Sequence, residues 1–175
     1  MSVRLAHGIG DAPADQPVSA VVALGANLGE RAATLAAAVA ALERLPLTTD
    51  VRVSAPLETV AVTLDGEDED APRYLNAVAL LRTRLAPTTL LRELHRIEAD
   101  HGRVRRERWG DRTLDLDLIA YGDARIDEAH LTVPHPRAHE REFVLAPWLD
   151  IDPDAEIPGR GRVDALLAAV REGAS

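Results

Sequence analysis

The stretch 102–118, GRVRRERWGDRTLDLDL, sets a basic segment directly before two aspartates at alternate positions. Read as a strand, it turns Asp115 and Asp117 to one face and Leu114, Leu116 and Leu118 to the other. At a rise of about 3.3 Å per residue, the two carboxylates start roughly 6.6 Å apart and can converge on a common ion. Asp is depleted in strands and like charges side by side repel, so a divalent cation would relieve the arrangement. Upstream, Arg103, Arg105, Arg106, Arg108 and Arg112 place five guanidinium groups within ten residues, against only Glu107 and Asp111. Carboxylate oxygens for a metal beside forked donors for phosphate oxygens suit a Mg²⁺-polyphosphate. Each half has a plainer explanation. An exposed strand face carries solvated aspartates, and every basic position in a chain without lysine is arginine. The two halves together, with Trp109 and Gly110 between them, favour the metal–phosphate reading.

Other residues suggest a planar ligand. Aromatics make up only 3% of the chain, yet Tyr74, Trp109 and Phe143 all lie beside loops. Core packing is the default for any one of them, but the placement fits a stacking pocket. Asn76, two residues after Tyr74, shares its strand face and could read a heterocycle edge. His135 and His139 have i, i+4 spacing, but Pro136 argues against a helix between them, and a zinc site is not favoured. The Gly25–Gly29 turn after a strand has neither GxGxxG nor GxxxxGK, and no lysine completes a P-loop.

The 175 residues bound a single domain with room for a core, in which 1–17 is expected as a flexible extension and 18–175 as the folded unit. Without cysteine there are no disulfides, thiolate zinc sites or Cys nucleophiles. No apolar run approaches a membrane span and the N-terminus lacks a signal-peptide core, so a cytoplasmic protein without a membrane partner is expected. A net charge of −9 argues against nucleic acid, so an anionic ligand must be held by the local 103–112 patch.

The positioning elements follow in order. Ser19–Leu24 reads as a buried strand, Glu30–Leu45 as an Ala-rich helix stopped by Pro46, and Asp50–Glu58 as an edge strand interrupted by Pro56. An acidic loop, Val60–Arg73, precedes a strand at Tyr74–Leu85. Pro87 opens a helix with Leu90, Leu91, Leu94 and Ile97 as its apolar face and Gly102 at its end. The Leu114–Tyr121 strand completes β-α-β-β-α-β, the ferredoxin-like pattern of an α+β fold: an antiparallel sheet with both helices on one face. Additional C-terminal elements are a rigid Leu131–Pro136 segment, a short helix Glu140–Leu149 broken by Pro147, and a helix over Val163–Arg171.

On these residues the chain resembles the 6-hydroxymethyl-7,8-dihydropterin pyrophosphokinase family of folate biosynthesis, over about Ser19 to Pro158. The likeness comprises ALGANLG (23–29), YLNAV (74–78), RIE (96–98), RWGDRTLDLDL (108–118), LTVPHP (131–136) and REFVLAPW (141–148). It departs from the family pattern at Val60, His95, His130 and Pro136. The resemblance implies a monomer that takes ATP and a dihydropterin, with two Mg²⁺ ions held by Asp115 and Asp117. Arg103 and Arg112 are then the loop arginines that meet the triphosphate. Glu98, Arg105, Trp109, Leu118, Thr132, His135 and Arg141 would surround ATP. The pterin would lie between Tyr74 and Phe143, with Thr59 and Asn76 on its edge and Gly25 and Asn27 in the adjoining loop. No side chain stands out as a general base. Two other readings stay open: a two-metal phosphohydrolase, which usually recruits more carboxylates, and a non-catalytic effector-binding module of the same architecture, which would need neither the aspartate pair nor the arginines.

Overall fold

The computed structural model describes residues 12–63, 66–68, 73–101 and 113–174. In chain order the elements are β1 (Val18–Ala26), α1 (Arg31–Glu43), β2 (Thr48–Val53), β3 (Leu57–Thr59), β4 (Ala61–Thr63), β5 (Gly66–Asp68), β6 (Tyr74–Thr83), α2 (Pro87–Asp100) and β7 (Asp115–Tyr121). There follow β8 (Ile126–Glu128), β9 (Leu131–Val133), a 3₁₀ turn at Ala138–Glu140, α3 (Glu142–Ile151), β10 (Glu156–Ile157), β11 (Gly161–Arg162) and α4 (Val163–Gly173). The principal sheet has the order β2-β6-β1-β7, with β3 also pairing to β6, and every pairing is antiparallel.

Strand alternation divides the sheet between two cores. Ala20, Val22 and Leu24 of β1, Ala79 and Leu81 of β6, and Leu116 and Leu118 of β7 pack with Leu35, Leu42, Leu90, Leu94 and Ile97 of α1 and α2. The opposite face, carrying Val21, Val78, Leu80 and Ile119, packs under Val144, Leu145 and Trp148 of α3 and Val163 and Leu167 of α4. A bulge opposite Val21/Val22 inserts one residue into β7, so Ile119 and Ala120 both join the α3 side and Tyr121 returns to the other. The aspartates lie before this bulge. Leu114, Leu116 and Leu118 are packed on the α1/α2 side, as alternation requires, which leaves Asp115 and Asp117 to the α3 side.

Several boundaries differ from the sequence expectation. β1 runs through Gly25 to Ala26, because pairing to both neighbours continues past the expected turn. Pro56 splits the expected edge strand into β2 and β3, and Ser54 bridges the break. Its backbone N–H donates to the Val78 carbonyl at 2.9 Å, and its Oγ accepts from the Val78 N–H at 3.0 Å. Part of the acidic stretch pairs as the β4–β5 hairpin. Pro147 lies inside α3 without ending it, since burial of Val144, Leu145 and Trp148 holds the helix to the core. The segment before Pro17 is anchored at Ala14, which exchanges hydrogen bonds with Arg84 through its N–H and carbonyl. Residues 1–11 lie outside the described set.

Candidate active site

One row of directly opposed residues crosses the sheet on the α3 side: Asp115 on β7, Gly25 on β1, Asn76 on β6 and Leu57 on β3. Directly opposed residues share a face, so the aspartate and the carboxamide lie on one surface with glycine between them. A side chain there would crowd the carboxamide. A Cβ on Gly25 would sit 3.3 Å from Asn76 Oδ1, which already uses the space a side chain would fill. Asn76 is only 6% exposed, and its Nδ2 donates to Thr59 Oγ1 at 2.7 Å. That bond fixes the carboxamide orientation. Thr59 is itself opposite Tyr74, so Thr59, Tyr74 and Asn76 form one corner of the face. Phe143 packs against the same face from α3.

The next row places Asp117 opposite Ala23. Asp117 Oδ2 lies 3.7 Å from Arg141 Nη1, and the Arg141 guanidinium also sits 5.7 Å from the centre of the Phe143 ring. Arg141 thus links the aromatic corner to the acidic one through a charge pair and a cation–π contact. His135 is fixed to the β7 edge by its N–H, which donates to the Ile119 carbonyl at 2.8 Å. Its Nδ1 accepts from the Arg137 N–H at 3.2 Å, so the neutral ring carries its proton on Nε2.

Burial is the largest influence on His135 and pushes its pKa below the ordinary 6.5; Asp117 opposes the shift, while Arg141 and Arg137 reinforce it. Between the lowered value and 6.5 the unfolded chain binds the extra proton and the folded one does not, so this group's contribution to stability is lost as pH falls through that window. Removing the opposing charge by Asp117→Asn should therefore lower the His135 pKa further in metal-free protein. An NMR titration of the imidazole reads this directly, and an upward shift would contradict the described electrostatics.

Two residues expected around ATP have buried side chains. The Leu118 side chain is 4% exposed in the core on the α1/α2 side, opposite the aspartates, so it has only backbone to offer. Glu98 of α2 is 4% exposed, and its Oε1 accepts from the Leu116 N–H at 2.7 Å, holding the strand between the two aspartates. Thr132 lies exposed on β9. Asn27, expected in the adjoining loop, is buried, and its Oδ1 finds no donor among the described residues. Arg103, Arg105, Trp109 and Arg112 lie outside the described residues. Ser54, Arg31 and Glu58 make contacts across the fold that no local sequence pattern signals. A cavity of about 810 Å³ lies further along the same face, lined by Val21, Leu80 and Trp148 together with the charged Arg52, Arg82 and Asp152, and it does not include the Asp115–Asn76 row.

No group of three or more His, Cys, Asp or Glu side chains able to hold a metal occurs among the described residues. Two carboxylates on one strand face still suit Mg²⁺, which commonly takes one or two carboxylates and completes its shell with water and substrate phosphates. No described helix is long and apolar enough to cross a membrane.

The family model for 7,8-dihydro-6-hydroxymethylpterin-pyrophosphokinase matches residues 21–153. The 2-amino-4-hydroxy-6-hydroxymethyldihydropteridine pyrophosphokinase of Pseudomonas aeruginosa is 47% identical over 148 residues, covering 85% of this chain and 89% of its own length. The enzyme of the same name from Haemophilus influenzae is 43% identical over 150 residues, covering 86% and 91%. Among solved structures, Plasmodium falciparum HPPK-DHPS shares the fold with a TM-score of 0.65 at 12% identity; 88% of this chain aligns, spanning 41% of that longer chain. With a family match running through the sheet, both aspartates and α3, the chain belongs to the 7,8-dihydro-6-hydroxymethylpterin-pyrophosphokinase family.

Proposed function

We propose that this protein performs its family's reaction on the α3 side of the sheet, at the end that bears Asp115 and Asn76. It transfers diphosphate from ATP to the hydroxymethyl group of 6-hydroxymethyl-7,8-dihydropterin and releases AMP, a step of folate biosynthesis. The observation that carries the site is the row Asp115–Gly25–Asn76, which sets a charged subsite and a hydrogen-bonding subsite side by side.

In this reading Tyr74 and Phe143 stack on the two faces of the pterin, and Asn76 with Thr59 reads its edge. The buried Asn27 Oδ1 supports a donor arriving from a ligand, and Gly25 leaves the space for close approach. Arg141 stands between the pterin and the triphosphate and orients both. His135, neutral with its proton on Nε2, and the exposed Thr132 meet the nucleotide. Leu118 contributes through its backbone, and Glu98 by fixing β7. Arg103, Arg105, Trp109 and Arg112 bring the basic loop to the phosphates. Asp115 and Asp117 would hold two Mg²⁺ ions, which supply neutralisation of the triphosphate charge when bound.

The hydroxymethyl oxygen attacks the β-phosphorus in line with the departing AMP oxygen, a step that depends on positioning and electrostatics. The residues described act by alignment; none is placed as a general base. The sheet order β2-β6-β1-β7, with α1 and α2 crossing on one side, supports a ferredoxin-like βαββαβ core with the C-terminal elements added to the other. We read the protein as a cytoplasmic monomer.

Incubation with ATP, Mg²⁺ and the dihydropterin should yield AMP and diphosphorylated pterin in equal amount, and none without the pterin. ADP or free phosphate would contradict diphosphate transfer.

A further inference from the structure

The substrate end of the sheet is assembled from three chain segments that are distant in sequence: the 25–30 turn leading into α1, strand β3, and the start of β6. Arg31, the first residue of α1, touches the other two. Its Nη2 lies 3.1 Å from Glu58 Oε1 on β3, and its Nη1 donates to the Arg73 carbonyl immediately before Tyr74. One forked guanidinium therefore spans both strands that carry Thr59, Tyr74 and Asn76, while its own backbone ends the turn that carries Asn27. Its N–H also donates to the Gly29 carbonyl at 3.0 Å, closing that turn.

The strands themselves explain why such a tie is useful. β3 is only three residues long and, among the described residues, pairs with β6 alone, over Leu57–Thr59. Pro56 removes a backbone donor just before it. Thr59 lies at the end of this short strand, yet its hydroxyl must stay within hydrogen-bond distance of Asn76 Nδ2. A contact that fixes Glu58, next to Thr59, limits the motion of that hydroxyl and so of the carboxamide it orients.

We propose that Arg31 is a positioning residue for the pterin subsite. It works through Glu58 and the Arg73 carbonyl, holding β3 and the head of β6 against the 25–30 turn, and it touches neither substrate. This inference rests on the assignment of Thr59, Tyr74 and Asn76 to the pterin. It is specific to that end of the site: Asp115, Asp117 and His135 lie across β1 and beyond, so nucleotide binding should not depend on the clamp.

The test is the steady-state kinetics of Arg31→Ala, Glu58→Ala, the double variant and Arg31→Lys, each with a thermal melt. Because the pair is partly exposed, at 31% and 46%, its effect should be moderate: Arg31→Ala should raise the pterin KM by about fivefold and leave the ATP KM within about twofold. Glu58→Ala should give a smaller rise in the same constant. The double variant should be no worse than Arg31→Ala alone, since both changes remove one contact. Arg31→Lys, which keeps the charge but not the fork, should recover part of the loss. An unchanged pterin KM in Arg31→Ala, or parallel rises in both KM values with a lowered melting temperature, would overturn the clamp. Asn76→Leu run alongside separates the two failures. A raised pterin KM there with a normal one in Arg31→Ala overturns the clamp alone. A normal pterin KM in Asn76→Leu overturns the subsite assignment and the clamp with it.

Discussion

Asp117→Ala should lower kcat by about a thousandfold while the protein stays folded, because the proposed metal-assisted diphosphate transfer would rely on the carboxylates assigned to hold the ions. The separation of activity from stability follows from where the residue sits. The Asp117 side chain is 47% exposed and Arg141 lies 3.7 Å away, a contact in the range of weak surface pairs. Losing such a pair costs at most about 1 kcal/mol, and for a chain of this size that moves the melting temperature by about 2–4 °C. The core on the other side of β7, formed by Leu114, Leu116 and Leu118, is untouched. Turnover measured beside a thermal melt checks both halves. Near-normal kcat would remove Asp117 from the metal-holding role, and an unfolded variant would show that the residue is needed by the fold.

Asn76→Leu should lower kcat/KM for the pterin by about a hundredfold and leave the ATP KM near its original value, since a subsite built to hydrogen-bond loses most when one partner becomes apolar. Leucine keeps asparagine's branched skeleton of four side-chain heavy atoms with two bulkier methyls in place of the oxygen and nitrogen, so the change removes the carboxamide's polarity while keeping its branching. Two consequences combine. The ligand edge loses a donor and an acceptor, and the Thr59 hydroxyl loses the Nδ2 that fixes it at 2.7 Å. Gly25 has no side chain on the side where Asn76 Oδ1 lies, so the bulkier methyl of leucine meets only backbone there. Equal losses toward pterin and ATP would contradict the assignment of the carboxamide to the pterin half.

What was legible in the sequence was the part governed by period and local chemistry. The alternation in LDLDL placed Asp115 and Asp117 opposite three leucines, and those leucines are in the core. The helix opened by Pro87 begins there and buries Leu90, Leu94 and Ile97. The shared face of Tyr74 and Asn76 followed from a spacing of two within β6. What stayed hidden depends on partners distant in the chain. Gly25 looked like part of a turn, yet it lies within β1, and its meaning comes from the Asn76 side chain opposite it. Glu98 carried no local sign that it would hold the Leu116 N–H. Pro147 looked like a helix breaker, but the packing of α3 against the sheet outweighs one missing hydrogen bond. Arg31 was one arginine among twenty, distinguished only by the two strands it reaches.

The most direct test of the site is where a paramagnetic metal sits. Mn²⁺ in place of Mg²⁺, added with a non-hydrolysable ATP analogue, broadens the NMR signals of nearby nuclei. Val18 and Thr83 pair at the opposite end of the sheet, five positions along β1 from Ala23, which faces Asp117, or roughly 17 Å at strand rise. The amides of Asp115 and Asp117 and the imidazole of His135 should disappear, while those of Val18 and Thr83 stay observable and are broadened far less. Broadening centred on Val18 and Thr83, with Asp115 and Asp117 unaffected, would place the metal–nucleotide site elsewhere and contradict the role given to the aspartate strand.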